Sequence, residues 1–473
     1  MRSHRLLTIS LAIGSLVAAA CGASPRVERE VAARSASPLS AGRAVNSETL
    51  PGASANGVDS AAATASDTGA AASGGSSATA TNAATGNAAS SNGAGSATGV
   101  AAPSGGNGGD TDIGVTATSI RVGGTYFNGN YLDKYSQVTE QAAAAYFRYI
   151  NDHGGVYGRK IDYRTCDTSG TADGTQGCLK KLGDQDKVFI MGPSLDFNLN
   201  TVQPYLAQHK LPWVGSSGLY PEEFTSPWMY PTQLRGFDVG ALIATFSSQK
   251  LAVKTVAVSY LNDVAGPACT QRVHDVGNKL GFRVVADVGN AQVESDLTPQ
   301  VLRTRQSNPD AVLFCNDPIN TIKFVQAAGR TGYKPPKGFV GGFVAADDVP
   351  LAMGQAGVGV YGFSGYDFYK DDTPGVKRYR DISSYYYPST FFHFYSQAAF
   401  TGSVAIVEAL KAAGPKLTRT TFLAALRGMH AFDSGMGLKI DFANLGHNSS
   451  GLMLQADSNL RWHQITDRFS SAG

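Results

Sequence analysis

Between Cys21 and Asp112 the chain has almost no aromatic or large aliphatic side chains, and from Thr68 to Gly109 it has no charge at all. Such a stretch has too little apolar surface to offset the entropy of ordering it, which excludes a folded domain there. Other features are missing too. No apolar run is long enough to anchor the chain across a bilayer as a stable helix. The charged fraction is only 16% and the net charge +2. With no basic stripe, nucleic acid is not expected as a partner. The eight His are scattered, with no HxxxH or CxxC pair, so no metal site is expected. No G-x-S-x-G, P-loop or HExxH appears, and no cofactor is expected. GVGVYG at Gly357 to Gly362 fits G-x-G-x-x-G, but it follows a helix and opens a strand, the reverse of the nucleotide-binding context.

What is present begins with an address. Arg2, His4 and Arg5 precede an apolar run from Leu6 to Val17, and Ala18, Ala19 and Ala20 then lead to Cys21. This is the layout of a secretory signal over residues 1–20. With the cysteine in that place it resembles a bacterial lipoprotein signal, which implies cleavage before Cys21, lipid on its sulfur, and a chain held on the outer face of the cell membrane. Residues 21–112 then form a disordered Ala/Gly/Ser/Thr-rich tether. Its root-mean-square span is about 50 Å, from ~5–6 Å times the square root of length.

Four cysteines remain, Cys166, Cys178, Cys269 and Cys315, and an even count in an exported chain suggests disulfides. Three pairings are possible. Cys166 and Cys178 flank a polar loop that turns back easily, so that bridge is expected, and Cys269–Cys315 follows by elimination. A buried free thiol at Cys315, which ends an apolar strand, is the alternative.

From Ile113 to Phe469 short apolar strands alternate with helices. IRVGG, KIDYR, KVFIM and LPWVG are strands in a first run, with QAAAAYFRYI as a strong helix stopped at His153-Gly154-Gly155. TVAVSY, residues 282–287, AVLFC and residues 339–343 are strands in a second. This pattern predicts an α/β fold of two Rossmann-like lobes, each a parallel sheet covered on both faces. About 355 residues also exceed what one core usually covers. Ligands of such sheets sit at the carboxyl ends of the strands. Those ends carry Tyr126, Phe127, Ser194, Ser216 and Ser217 in the first lobe, and Asp263, Asn316 and Phe343 in the second. They can hydrogen-bond and stack on a small polar molecule, and no nucleophile–base pair is among them.

The segments IRVGGTYF, AYFRYINDHGGVYGRKIDYRTCD, KVFIMGPSLDFNLNTVQPYLAQHKLPWVGSSG and VEALKAAGPKLTRTTFLAALRGM resemble the solute-binding proteins of branched-chain amino acid ABC transporters, the Leu/Ile/Val-binding type of periplasmic binding protein. The resemblance covers nearly all of Ile113 to Phe469. It implies two lobes joined by three hinge crossings near Arg235, Tyr366 and Met436, giving residues 113–236 with 366–436 as lobe 1 and 237–365 with 437–469 as lobe 2. It also implies a ligand trapped between the lobes, no enzymatic activity, and an ABC permease as partner. In relatives the turns matching Ser194 and Ser216-Ser217 hold a ligand carboxylate. Relatives carry Tyr-Gly where this chain has Ala265-Gly266, and amino-acid binders carry an acid about where this chain has Phe343, so an α-amino acid is not the expected ligand. A small polar or carboxylated organic molecule with an apolar or aromatic part, amino-acid-like, branched-chain-type or aromatic, is expected instead. The aromatic-rich run from Tyr361 to Phe400 is expected to pack the core and the lobe contact, or to line the cleft at Tyr366 or Phe368. The same fold would also serve a receptor that signals to a membrane partner. A hydrolase using Ser216 or Ser217 would need a histidine that the sequence does not place.

Overall fold

The computed structural model describes residues 98–129, 132–263, 265–445 and 449–472. The signal segment, Cys21, the tether to residue 97 and Asn448 of the Asn448-Ser449-Ser450 sugar-acceptor pattern lie outside them.

Lobe 1 is built on β1 (Ser119–Tyr126), β2 (Lys160–Asp167), β3 (Ile190–Met191), β4 (Trp213–Val214) and β5 (Met229–Tyr230), in the order β2-β1-β3-β4-β5, all parallel. Helix α1 (Asp133–Asp152) shows why this sequence coils: its buried positions Val138, Ala142, Ala145 and Tyr146 fall at helical spacing, with Tyr146 against Phe400 of a later helix at 4.9 Å between rings, while Phe147 meets Tyr163 of β2 at 5.0 Å. It begins eight residues before the expected Gln141. Gly154 and Gly155 end it with φ of 98° and 69°, and a Cβ on Gly155 would lie 2.1 Å from the Arg159 carbonyl. Only glycine lets the chain reverse from α1 into β2. Strands β3 and β4 are shorter than the sequence predicts, and β4 starts only after Pro212, which has no N–H to extend the ladder; β5 is a further short strand beyond those expected. Helices α2 (Ala172–Lys180), α3 (Gln203–His209) and α4 (Pro221–Thr225) complete this run.

Lobe 2 begins at α5 (Asp238–Gln249). It continues through β6 (Thr255–Leu261), α6 (Ala265–Leu280), β7 (Arg283–Asn290), α7 (Thr298–Gln306), β8 (Ala311–Cys315), α8 (Pro318–Arg330), β9 (Phe339–Gly341), α9 (Asp348–Met353) and β10 (Tyr361–Ser364). All five residues of β8 are buried, as a central parallel strand requires. The chain then returns to lobe 1 as α10 (Pro374–Tyr386), α11 (Phe394–Ala413) and α12 (Arg419–Arg427), followed by the hairpin β11 (Phe432–Asp433) and β12 (Lys439–Ile440). It finally adds β13 (Ser450–Ala456) and β14 (Trp462–Gln464) to lobe 2, with β15 (Phe469–Ser470) on β13. Strands β13 and β14 run antiparallel at the sheet edge, so the second sheet is mixed rather than wholly parallel.

Both expected disulfides are present, Cys166–Cys178 and Cys269–Cys315. The first closes β2 onto α2, and the second ties α6 to the end of β8.

Residues 98–112, grouped with the tether on composition, are fixed on lobe 1. Val100 donates its N–H to Gly155 O, and Thr111 bonds Leu417 O. Arg159, only 1% exposed, donates to the carbonyls of Asn107, Gly109, Thr116 and Pro415 at 2.6 to 2.9 Å. A buried guanidinium needs acceptors for its N–H groups, and this low-complexity backbone supplies two of them.

Candidate ligand-binding cleft

A cavity of about 390 Å³ opens between the two lobes, in the size range of small-molecule sites. Lobe 2 contributes the ends of its strands and the loops that follow: Leu261, Asn262 and Asp263 at and after the end of β6, Cys315, Asn316 and Asp317 at and after the end of β8, and Phe343 after β9. Lobe 1 contributes Phe197, Asn198 and Asn200 after β3, and Leu219 and Tyr220 after β4. Gly236 at the first crossing and Tyr395 at the start of α11 complete the wall. Parallel strands place these residues together because all their carboxyl ends face one edge of each sheet.

Several of these side chains are held by the elements they cap. Asp317 is the N-cap of α8, with Oδ1 accepting the Asn320 N–H at 2.9 Å. Asp263 Oδ1 accepts the Gly266 N–H at 2.7 Å, inside the first turn of α6. Gly266 must be glycine, since a Cβ there would lie 2.0 Å from Leu261 O. Asn316 is 1% exposed. Its Nδ2 donates to Ser259 Oγ at 2.9 Å, and its Oδ1 has no hydrogen-bond partner. The Cys269–Cys315 disulfide lies in the same wall and fixes α6 against β8 beside Asn316. Burial pushes the Asp263 carboxyl up. Burial and the charges of Asp317 and Asp263 push the Tyr395 phenol up, and burial and Asp263 do the same to Tyr220.

Of the residues expected from sequence, Asp263, Asn316 and Phe343 come together in this cavity. The others lie behind it. Tyr126 donates to Pro193 O, and Phe127 is buried against Phe197 at 5.3 Å between ring centroids. Ser194 Oγ accepts the Thr125 N–H, and Ser217 Oγ donates to Asp196 O. Ser216 is buried beside Glu223. Glu223 is fully buried, and its carboxylate accepts the N–H groups of Gly218, Leu219 and Tyr220 at 2.8 to 3.1 Å. The backbone donors just beyond Ser216-Ser217 are therefore engaged by the chain's own acid. Tyr366 donates to Thr232 O and borders only a separate void of about 20 Å³, and Phe368 is buried in the core. From the aromatic run it is Tyr395 that reaches the cleft, and its ring lies 3.9 Å from that of Phe394. Phe197, Asn198, Tyr220 and Tyr395 were not expected. The first three follow strands whose ends were otherwise identified, while Tyr395 arrives from a helix far along the chain.

The family model described as periplasmic binding protein matches residues 119–456, which is most of the chain. The chain belongs to the periplasmic binding protein family. This binding protein resembles a fatty acid ABC transporter substrate-binding protein from Thermomonospora curvata, with a TM-score of 0.72 and 19% identity over 79% of this chain and 97% of that one. It is also similar to the leucine binding protein LivK from Thermotoga maritima, with a TM-score of 0.64 and 15% identity over 74% and 99% of the two chains. A substrate-binding periplasmic protein from Ralstonia solanacearum matches with a TM-score of 0.66 and 18% identity over 73% and 100%. At these identities the likeness establishes the type I periplasmic binding fold. No curated protein sequence matches the binding protein. Among its described residues no helix is long and apolar enough to cross a membrane, and no group of acids, His or Cys could hold a metal.

Proposed function

We propose that this chain is a lipid-anchored solute receptor on the outer face of the cell membrane. It captures a small polar organic molecule between its lobes and passes it to an ABC permease. One observation carries the reading: a ligand-sized cavity is walled by the strand ends of both lobes, so a bound solute contacts both halves and holds them together. The three connections between lobes can absorb the rotation that opens the cleft. The cavity wall offers amides, carboxylates and aromatic rings, the means to bind and orient, and among the described residues no histidine stands beside a serine there.

The anchor is supported by the small residues before Cys21. Palmitate labelling tests it: Cys21→Ser should abolish the label and release the chain from membranes. Solute capture is tested by a thermal-shift scan of amines, amides, amino acids and aromatic acids. A receptor predicts a saturable rise in Tm with one chemical class, since a ligand that binds only the folded state stabilises it. Turnover of the bound compound would replace this reading with an enzyme.

A further inference from the structure

The polar groups of the cleft are unbalanced in sign. Asp263 and Asp317 both line it, and among the described residues no Lys, Arg or His does. Each acid caps a helix, but a helix end carries roughly half a positive charge against the full negative charge of a carboxylate. The pair therefore leaves the cleft negative. Burial raises the neighbouring Tyr395 phenol, and the charges of Asp317 and Asp263 raise it further. The buried Asn316 Oδ1, which has no partner, adds a further acceptor with nothing in the protein to satisfy it. The aromatic residues Tyr220, Phe343 and Tyr395 also line it, and aromatic faces attract cations.

We propose that the cleft selects a solute with a protonated nitrogen head group and no free carboxylate, with Asp263, Asp317 and Asn316 Oδ1 accepting its N–H groups or facing its charge. This rests on the cleft being the solute site. Burial holds the Asp263 carboxyl above its ordinary range, and a cation bound beside it would relieve that penalty. A carboxylate ligand would instead meet two like charges, and the backbone donors after β4 are already taken by Glu223.

The test is equilibrium dialysis of the full chain against matched pairs, 3,3-dimethylbutylamine with 3,3-dimethylbutanoate and benzylamine with benzoate, read by mass spectrometry beside a whole-cell metabolite extract. The expected result is at least tenfold enrichment of each cation over its matched acid. Asp263→Asn and Asp317→Asn should lower that ratio toward one. Asn is as good a helix N-cap as Asp, so both variants should fold. Equal or greater retention of the acids overturns the proposal. Retention of neither member of a pair overturns it as well; if an extract metabolite is still retained, the receptor reading survives. If the extract also leaves nothing on the protein, the receptor reading fails.

Discussion

The carboxylate of Glu223 accepts the Gly218 N–H at 2.8 Å from wholly inside lobe 1. The turn after β4 thus carries its own acceptor. Glu223→Gln puts an amide donor against a set of N–H donors. A buried donor left without an acceptor costs about 1–3 kcal/mol. Urea unfolding should show a loss of about 2 kcal/mol at neutral pH. Burial raises the Glu223 carboxyl, so its contribution to stability is greatest below the ordinary glutamate range and is lost as pH rises through the raised folded value. In Glu223→Gln that part of the pH dependence should vanish.

His393 has the opposite sign. It is buried at the start of α11, where Nδ1 accepts the Tyr395 N–H at 3.0 Å, and burial pushes its imidazole down to about 3. An unfolded histidine titrates near 6.5, so the stability that the neutral ring confers is complete above that value and is lost as pH falls toward 3. The limiting loss is about 5 kcal/mol at ~1.4 kcal/mol per pH unit. His393→Asn retains a capping acceptor, and its Tm should fall less between pH 6.5 and 4 than that of the wild type.

The two disulfides should contribute unequally. By loop entropy, the 46-residue separation of Cys269–Cys315 corresponds to about 4 kcal/mol, and the 12-residue separation of Cys166–Cys178 to about 3 kcal/mol. Paired Cys→Ser variants compared in urea should follow that order. Only loss of the Cys269–Cys315 bridge should also weaken solute binding, because it alone stands in the cleft wall.

Arg159 holds the backbone of residues 107 and 109 on lobe 1. Arg159→Met removes donors to Asn107 O and Gly109 O while filling similar volume. Limited proteolysis should then cut within residues 98–112 faster than in the wild type. Unchanged protection would mean that the other contacts, such as Val100 on Gly155, suffice.

Much of the fold is legible in short segments. AVLFC spells a buried central strand, and HGGVYG spells the reversal after α1, because each depends on local burial or local φ. The antiparallel edge at Ser450–Ala456 is not, since its partner β10 lies some 90 residues earlier in the chain. The site divides in the same way. Asp263, Asn316 and Phe343 follow strands directly, so strand assignment locates them. Ser194, Ser216 and Ser217 also follow strands, but Asp196 and Glu223 fold back over that region. Nothing in PEEF at Pro221 to Phe224 tells which of two adjacent glutamates turns inward. Tyr395 depends on how α11 docks, which is a tertiary fact.

The central claim is that one small solute is held between the lobes by the strand-end residues of both. Native mass spectrometry of the chain purified without denaturation tests this most directly. A single bound molecule per chain, retained by the wild type and lost on Tyr395→Ala from one wall and Asn316→Leu from the other, is the predicted result. A bound molecule indifferent to both substitutions, or a folded chain that retains no small molecule from any extract offered, would contradict it.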